Sequence, residues 1–480
     1  MLPDLARPLR HAAARLEAAT PASRDRAVDA LRAFAVLGVV LGHWLVTALI
    51  ADGTSLHTVS PLHYMPFLAP VSWLFQTLAV FFLVGGRVAT LGLTRAQQSG
   101  TSYGSWLSAR LSRLFRPVAA LLLLWTITAV LLLIGAEPAT VRALVKLALS
   151  PLWFLLVYAA LTAATPLLTR LNPLWPLAVV LHVDLLRFGQ GAPSWTGWIN
   201  LAAGWLVPYT LGAAWARGQL EGHRRALSLL LGGTAGTAAL IVWARYPASM
   251  VGVPGAEVSN LNPPTLAAVT FGLAQCGLAL LLRRPLRRAL RRPVAWAAVA
   301  LVNLFAMTVF LWHQTAMMAT TATGLLAGHL PGLHTPPDHL GWIAARLAWL
   351  PLFALALAVC WAAFHHLEQR TVARGVAVRR ARIVSEPVTD YIRFEHAITD
   401  ANERAGEQVR WLPRRRASTL ALPGNDFWLI DDRIVRWNLF SGDGQALKPD
   451  HTEDADAVKL CTEAFHAVWD LATPHADYRL

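Results

Sequence analysis

Charge is scarce in this 480-residue chain: 15% of it is Asp, Glu, Lys or Arg, against 55% hydrophobic residues and a mean hydropathy of +0.44. That balance is richer in apolar residues than ordinary soluble domains and excludes a chain that is soluble throughout. Cysteine is scarcer still. Cys276, Cys360 and Cys461 stand far apart, so no disulfide framework is implied. Residues 1–24 are Arg- and Ala-rich and lack an apolar core of the signal-peptide type, so the first apolar run is expected to stay as an anchor. Segments 51–66 and 320–340 contain no Lys or Arg, which marks them as exported. Tight His, Cys, Asp and Glu spacing is also missing, and no metal is expected.

What the chain does have is apolar runs long enough to span a bilayer. They fall at about 28–50, 67–91, 118–134, 152–168, 174–186, 199–215, 227–243, 266–282, 296–318 and 347–364. The run at 174–186 is the weakest, being short and containing His182 and Asp184. The expected fold is therefore an all-α polytopic membrane protein of about ten transmembrane helices. Positive charge sets its orientation. Arg95, Arg110, Arg113 and Arg116, then Arg217, Arg224 and Arg225, then the six arginines of RRPLRRALRRP lie in alternate connections; Arg142 and Lys146 are the main exception. Both termini are then cytoplasmic, and the membrane is the plasma membrane.

The net charge of +14 divides sharply near Arg382, with a basic excess before it and an acidic balance after it. The basic excess follows from the orientation bias and attraction to anionic lipid, so no nucleic acid partner is expected. The division separates three parts: a basic cytoplasmic segment at 1–24, a membrane domain at 25–375, and a small soluble α+β domain at 383–480. In the last, 383–406 reads as a helix, QVRWLPRR as a strand, NDFWLIDDRIVRWNLF as a hairpin around Asp431 and Asp432, and DAVKLCTEAFHAVWDLA as a closing amphipathic helix. The tail has no nucleophile, metal set or Gly-rich phosphate loop, and its expected role is regulation or binding of a cytoplasmic partner.

Ionisable residues inside the spans are the features that call for function. Arg32 and His43 share the first span. Eleven positions are about three helical turns, so they share one face about 16 Å apart along the axis. Asp29 lies three residues before Arg32, where helical side chains meet, and can neutralise it. The second span ends in FFLVGGR, with Gly85 and Gly86 allowing close backbone approach and Arg87 near the inner end. In YGSWLSARLSRLFRPV, Arg110, Arg113 and Arg116 recur at every third residue of an interfacial helix expected to stop at Pro117. Such a cluster suits the phosphates of a nucleotide-like donor or of lipid headgroups. Trp153 opens the fourth span, His313 lies well inside the ninth, and Asn303 ten residues before it can hydrogen-bond between helices.

Taken in order, Asp29-x-x-Arg32 with His43, FFLVGGR, RLSRLFRP, LWF, LWHQT and a closing HHLEQR resemble acyltransferase family 3, over about 24–375. FFLVGG stands where that family usually has Phe-Phe-x-x-Ser-Gly, and LWHQT where it has Tyr-x-x-His. The resemblance implies a membrane O-acyltransferase that moves an acyl group, commonly acetyl, from cytoplasmic acyl-CoA to a hydroxyl of an extracytoplasmic glycan, glycolipid or secreted metabolite. His43 would act as base or acyl carrier, with Arg32 and Asp29 in the catalytic group. Arg87, Arg110 and Arg113 would hold the donor phosphates; Trp153, His313 and Glu368 would support the substrates. A transporter of a polar metabolite would also use intramembrane His and Arg, but the inverted repeats of many transporters are not visible. The segment from RWLPRRR to RIVRWN resembles an uncharacterised actinobacterial domain.

Overall fold

The computed structural model describes residues 24–364 apart from 53 and 54, together with Thr20 and most of 377–479; within the last stretch 390, 391, 394, 397, 398, 400, 401, 404–406, 440, 443–446, 448 and 449 fall outside the description. Two units are present, Met1–Glu368 and Gln369–Leu480.

The first unit is a helical membrane bundle. Its longer elements are α1 (Arg26–Val46), a hairpin of β1 (Ala48–Asp52) and β2 (Ser55–Val59), α2 (Leu78–Gln98), α3 (Tyr103–Leu132), α4 (Pro138–Leu149), α5 (Leu152–Ala163), α6 (Leu174–Asp184), α7 (Ile199–Ala216), α8 (His223–Val242), α9 (Leu266–Ala289), α10 (Pro293–Leu304), α11 (Ala306–Gly324) and α12 (Leu340–Phe364). All ten apolar segments contain helix. Among the described residues seven helices are long and apolar enough to span, α4 and α5 counting as one, and α10 with α11 make an eighth candidate bent by 71°. The other two are α6, only 11 residues long, and α7, whose Asn200, Pro208 and Thr210 lower its apolarity.

Several boundaries move. The first span ends at Val46, because the chain turns into the β1–β2 hairpin, and the second begins at Leu78 after short turns over 61–72. The expected stop at Pro117 is wrong: α3 runs through it without a break. A proline forfeits one bond to the carbonyl four residues back, a loss that neighbouring groups make good in membrane helices.

The centre of the bundle is α1 and α2, both largely enclosed, whereas α8 and α12 expose most of their apolar surface. Exposed leucines there face the medium such helices prefer, so they need no protein cover. Close approach is made possible by glycine. A Cβ on Gly86 would lie 2.0 Å from the carbonyl oxygen of Tyr209 in α7, and one on Gly212 would lie 2.1 Å from that of Leu83 in α2. On α1, Gly38 and Gly42 admit Thr77 and Phe75 in the same way, and the Thr77 hydroxyl donates to the Ala35 carbonyl at 2.7 Å.

In the second unit, β3 (Val378–Val384) pairs in parallel with β4 (Glu407–Pro413), which pairs antiparallel with β8 (Thr473–Pro474). A second sheet joins β5 (Asp426–Ile430), β6 (Ile434–Asn438) and β7 (Asp450–Thr452), and α13 (Ala455–Leu471) closes the fold. The hairpin turn is as read, with Asp431 and Asp432 at φ 52° and 49°, a conformation Asp tolerates. The domain opens differently from the expectation: among the described residues its first element is a strand starting at Val378, and 385–389 are not helical. Ile383 and Val384 end that strand, packed separately into the cores around Leu412 and Trp411.

Candidate active site

Arg32 and His43 do share a face, and both address the bent α10–α11 pair. Arg32 donates from Nε to Asn303 Oδ1 at 2.5 Å and from Nη2 to Asp29 Oδ1 at 2.8 Å, while Asp29 also pairs with Arg24. Asn303 in turn donates to the backbone carbonyl of Asp29 at 2.8 Å. Asp29, Arg32 and Asn303 therefore all have partners, which the low dielectric favours.

Three turns further on, His43 Nδ1 lies 2.7 Å from His313 Nε2, with the two rings parallel to within 3°. His313 Nδ1 is 2.6 Å from the Phe310 carbonyl oxygen. That oxygen can only accept, so Nδ1 of His313 carries the hydrogen. In the neutral ring Nε2 is then the acceptor, and His43 must donate to it from Nδ1. By elimination, His43 Nε2 holds a free lone pair, and among the described residues it has no hydrogen-bond partner. This arrangement, imidazole to second ring to fixed carbonyl, is one that general-base or nucleophilic chemistry can use.

The surroundings hold the pair in place. Trp44 donates from Nε1 to the His313 carbonyl at 2.9 Å. Arg346, only 1% exposed, donates to the carbonyls of Trp44, Thr47 and Gly332 at 2.7, 2.7 and 2.9 Å, and its guanidinium lies 4.7 Å from the Phe353 ring centroid. It ties α12 to the C-terminal carbonyls of α1, where cations are favoured. Sequence reading passed over Arg346; the signal available was a lone arginine at the edge of the tenth apolar run. The backbone nitrogen of Ala51 donates to the His334 carbonyl at 3.3 Å, joining the β1–β2 hairpin to the segment before α12 at the same end. Trp153 stands apart from the histidines. It begins a row of rings through Phe154 and Phe310, with centroid separations of 6.1 and 5.5 Å, and Phe310 lies 6.1 Å from His313.

The three arginines expected on the donor have different partners. Arg87 pairs with Asp25 at 3.1 Å and lies 4.2 Å from the Trp215 ring centroid. Arg110 turns toward α2, donating to the Val88 carbonyl at 3.3 Å and covering the Trp106 ring at 4.8 Å. Arg113 is exposed and donates to the Ala109 carbonyl on its own helix. Glu368 lies outside the described residues. Among those described, no three His, Cys, Asp or Glu side chains gather as metal ligands would.

Comparison with known families meets this geometry. The model of the acyltransferase domain, acyltransferase family 3, matches residues 25–365, which takes in every one of these residues except Arg24 and Glu368. The chain belongs to that family. The acyltransferase domain is followed, over 356–480, by a match to a domain of unknown function, DUF6879. No curated protein and no solved structure matches the chain. As a membrane acyltransferase, the protein presents its paired histidines and its arginine groups within one helical domain, and the transporter alternative finds no support.

Proposed function

We propose that this acyltransferase moves an acyl group, in the first instance acetyl, from acyl-CoA on the cytoplasmic side of the plasma membrane to a hydroxyl of an extracytoplasmic glycan, glycolipid or secreted metabolite. The observation that carries the reading is the directed chain from His43 through His313 to the Phe310 carbonyl. In this proposal the acceptor hydroxyl gives its proton to His43 Nε2 as its oxygen attacks the thioester carbonyl. The imidazolium so formed keeps its Nδ1 hydrogen bond to His313, which steadies the charge. Collapse of the tetrahedral intermediate breaks the C–S bond, and the departing thiolate recovers the proton from Nε2. An acyl-His43 route would use the same lone pair, and mass spectrometry of acid-quenched protein distinguishes it by an acyl group on His43.

Arg110 and Arg87, at the end of the bundle assigned to the cytoplasm, are the proposed contacts for donor phosphates, with Arg113 at their margin. The proposed acceptor entrance is the opposite end, where the β1–β2 hairpin meets the segment before α12. The test is release of free CoA by the purified, lipid-reconstituted protein supplied with acetyl-CoA and a cell-envelope extract, beside His43→Ala. Release that disappears in a folded variant supports the proposal. Release unaffected by the substitution would remove His43 from the chemistry; no release with any acyl-CoA would remove the donor.

A further inference from the structure

Two arginines of RRPLRRALRRP reach Asp25 at the start of α1; Arg283 is largely buried, whereas Arg287 is 53% exposed. Arg287 pairs with Asp25 at 2.9 Å, and Arg283 approaches the same carboxylate at 3.9 Å while lying 4.7 Å from the Trp215 ring centroid. Arg87 reaches the same two groups from α2. Three guanidiniums from two helices thus converge on one carboxylate, and Glu221 is the further acid near enough to act on Arg87 and Arg283. Among the described residues of this group, cations still outnumber anions. Within the group, Arg87 Nε, Arg283 Nε and the indole Nε1 of Trp215 are buried and have no hydrogen-bond partner among the described residues. Trp215 itself is 2% exposed.

Buried donors without acceptors carry a desolvation cost, and surplus guanidiniums repel each other. An anion with several acceptor oxygens would satisfy these donors, and the fork geometry of arginine fits a phosphate. Asp25 offers only one carboxylate to three cations. Burial by itself would raise its pKa, but the Arg287 hydrogen bond and the charges of Arg87, Arg287 and Arg283 outweigh that and hold it below the usual carboxylate value. It is therefore anionic at neutral pH, and a phosphate entering the group would compete with it directly.

We propose that Arg87, Arg283, Arg287 and Trp215 form a phosphate-binding site in which Asp25 is an internal counter-ion that the incoming phosphate displaces. The phosphate belongs either to the nucleotide part of the donor, a case that rests on the function proposed above, or to the headgroup of an anionic lipid.

Binding by the full-length chain in phosphatidylcholine nanodiscs separates these sources. Titration calorimetry with CoA, and with pantetheine as the phosphate-free control, would compare the wild type with the Arg283→Gln, Arg287→Gln double variant and with Asp25→Asn. For a donor site, the double variant weakens CoA by about tenfold or more, Asp25→Asn tightens it, and pantetheine responds to neither. For a lipid site, CoA affinity is unchanged, but the rise in thermal midpoint on adding phosphatidylglycerol is lost in the double variant and enlarged in Asp25→Asn. Either pattern supports the site. It is overturned if the folded double variant keeps both responses, or if Asp25→Asn strengthens neither. Because binding is read without turnover, failure of the His43 chemistry leaves this test intact; should CoA not bind at all, the donor assignment falls and the lipid arm alone decides the site.

Discussion

Replacing His313 with Phe removes the acceptor for His43 Nδ1 while keeping a ring in the same space. The 2.7 Å bond it deletes is neutral in the resting state and charge-assisted once His43 holds the proton. Hydrogen bonds to charged groups contribute about 1.5–3 kcal/mol, so the proposed mechanism expects the turnover number to fall by roughly 10- to 150-fold. His43→Ala removes the base itself and should cost about 10²–10⁴-fold. Since His313 acts only through His43, the double variant should be no slower than His43→Ala alone. KM for the donor should hardly change, because neither ring is assigned to its phosphates. The assay is free CoA release by lipid-reconstituted protein at saturating acetyl-CoA with envelope extract. The relay reasoning is refuted if His313→Phe stays within about twofold of the wild type, or if the two losses multiply in the double variant.

Other outcomes follow from packing. Gly86→Ala drives a Cβ into the backbone carbonyl of Tyr209 and should abolish recovery of folded, monodisperse protein from the membrane, whereas Gly92→Ala clashes with the movable guanidinium of Arg110 and only touches the Trp106 indole. The latter variant should fold yet show a raised KM for acetyl-CoA if Arg110 binds the donor; an unchanged KM would separate Arg110 from that role. Arg346→Met leaves the Trp44, Thr47 and Gly332 carbonyls without this donor and should destabilise the bundle by roughly 2–4 kcal/mol, read as a lower thermal midpoint; an unshifted midpoint would contradict the clamp. Ending the chain after 376, ahead of β3, should leave a folded membrane domain with altered but measurable CoA release. Complete loss of chemistry would give the tail a larger part than regulation.

Much of the membrane domain was legible because lipid permits few solutions. A backbone in hydrocarbon must satisfy its own hydrogen bonds, so an apolar run of sufficient length already says helix. Helical periodicity likewise carried the Asp29 pairing of Arg32 and the shared face of Arg32 and His43, since both relations lie within one element. Even Asn303 was recognisable as an interhelical hydrogen bonder, an amide in an apolar run needing a partner. The stop expected at Pro117 failed because that rule describes helices in water, where a freed carbonyl and a continuing chain have other options.

What the amino-acid sequence determined alone is local: which apolar segments of the membrane domain contain helix, and which residues share a helical face. Tertiary structure decided the relations between elements. It set His313 against His43 across 270 residues of chain, fixed the tautomer through the Phe310 carbonyl, buried Arg346 on the end of α1, and brought Arg283 and Arg287 to Asp25. The physical reason is that periodicity prescribes a direction relative to a helix axis, whereas the partner met in that direction depends on how the helices pack, and that is set here by glycines whose missing Cβ atoms let backbones touch.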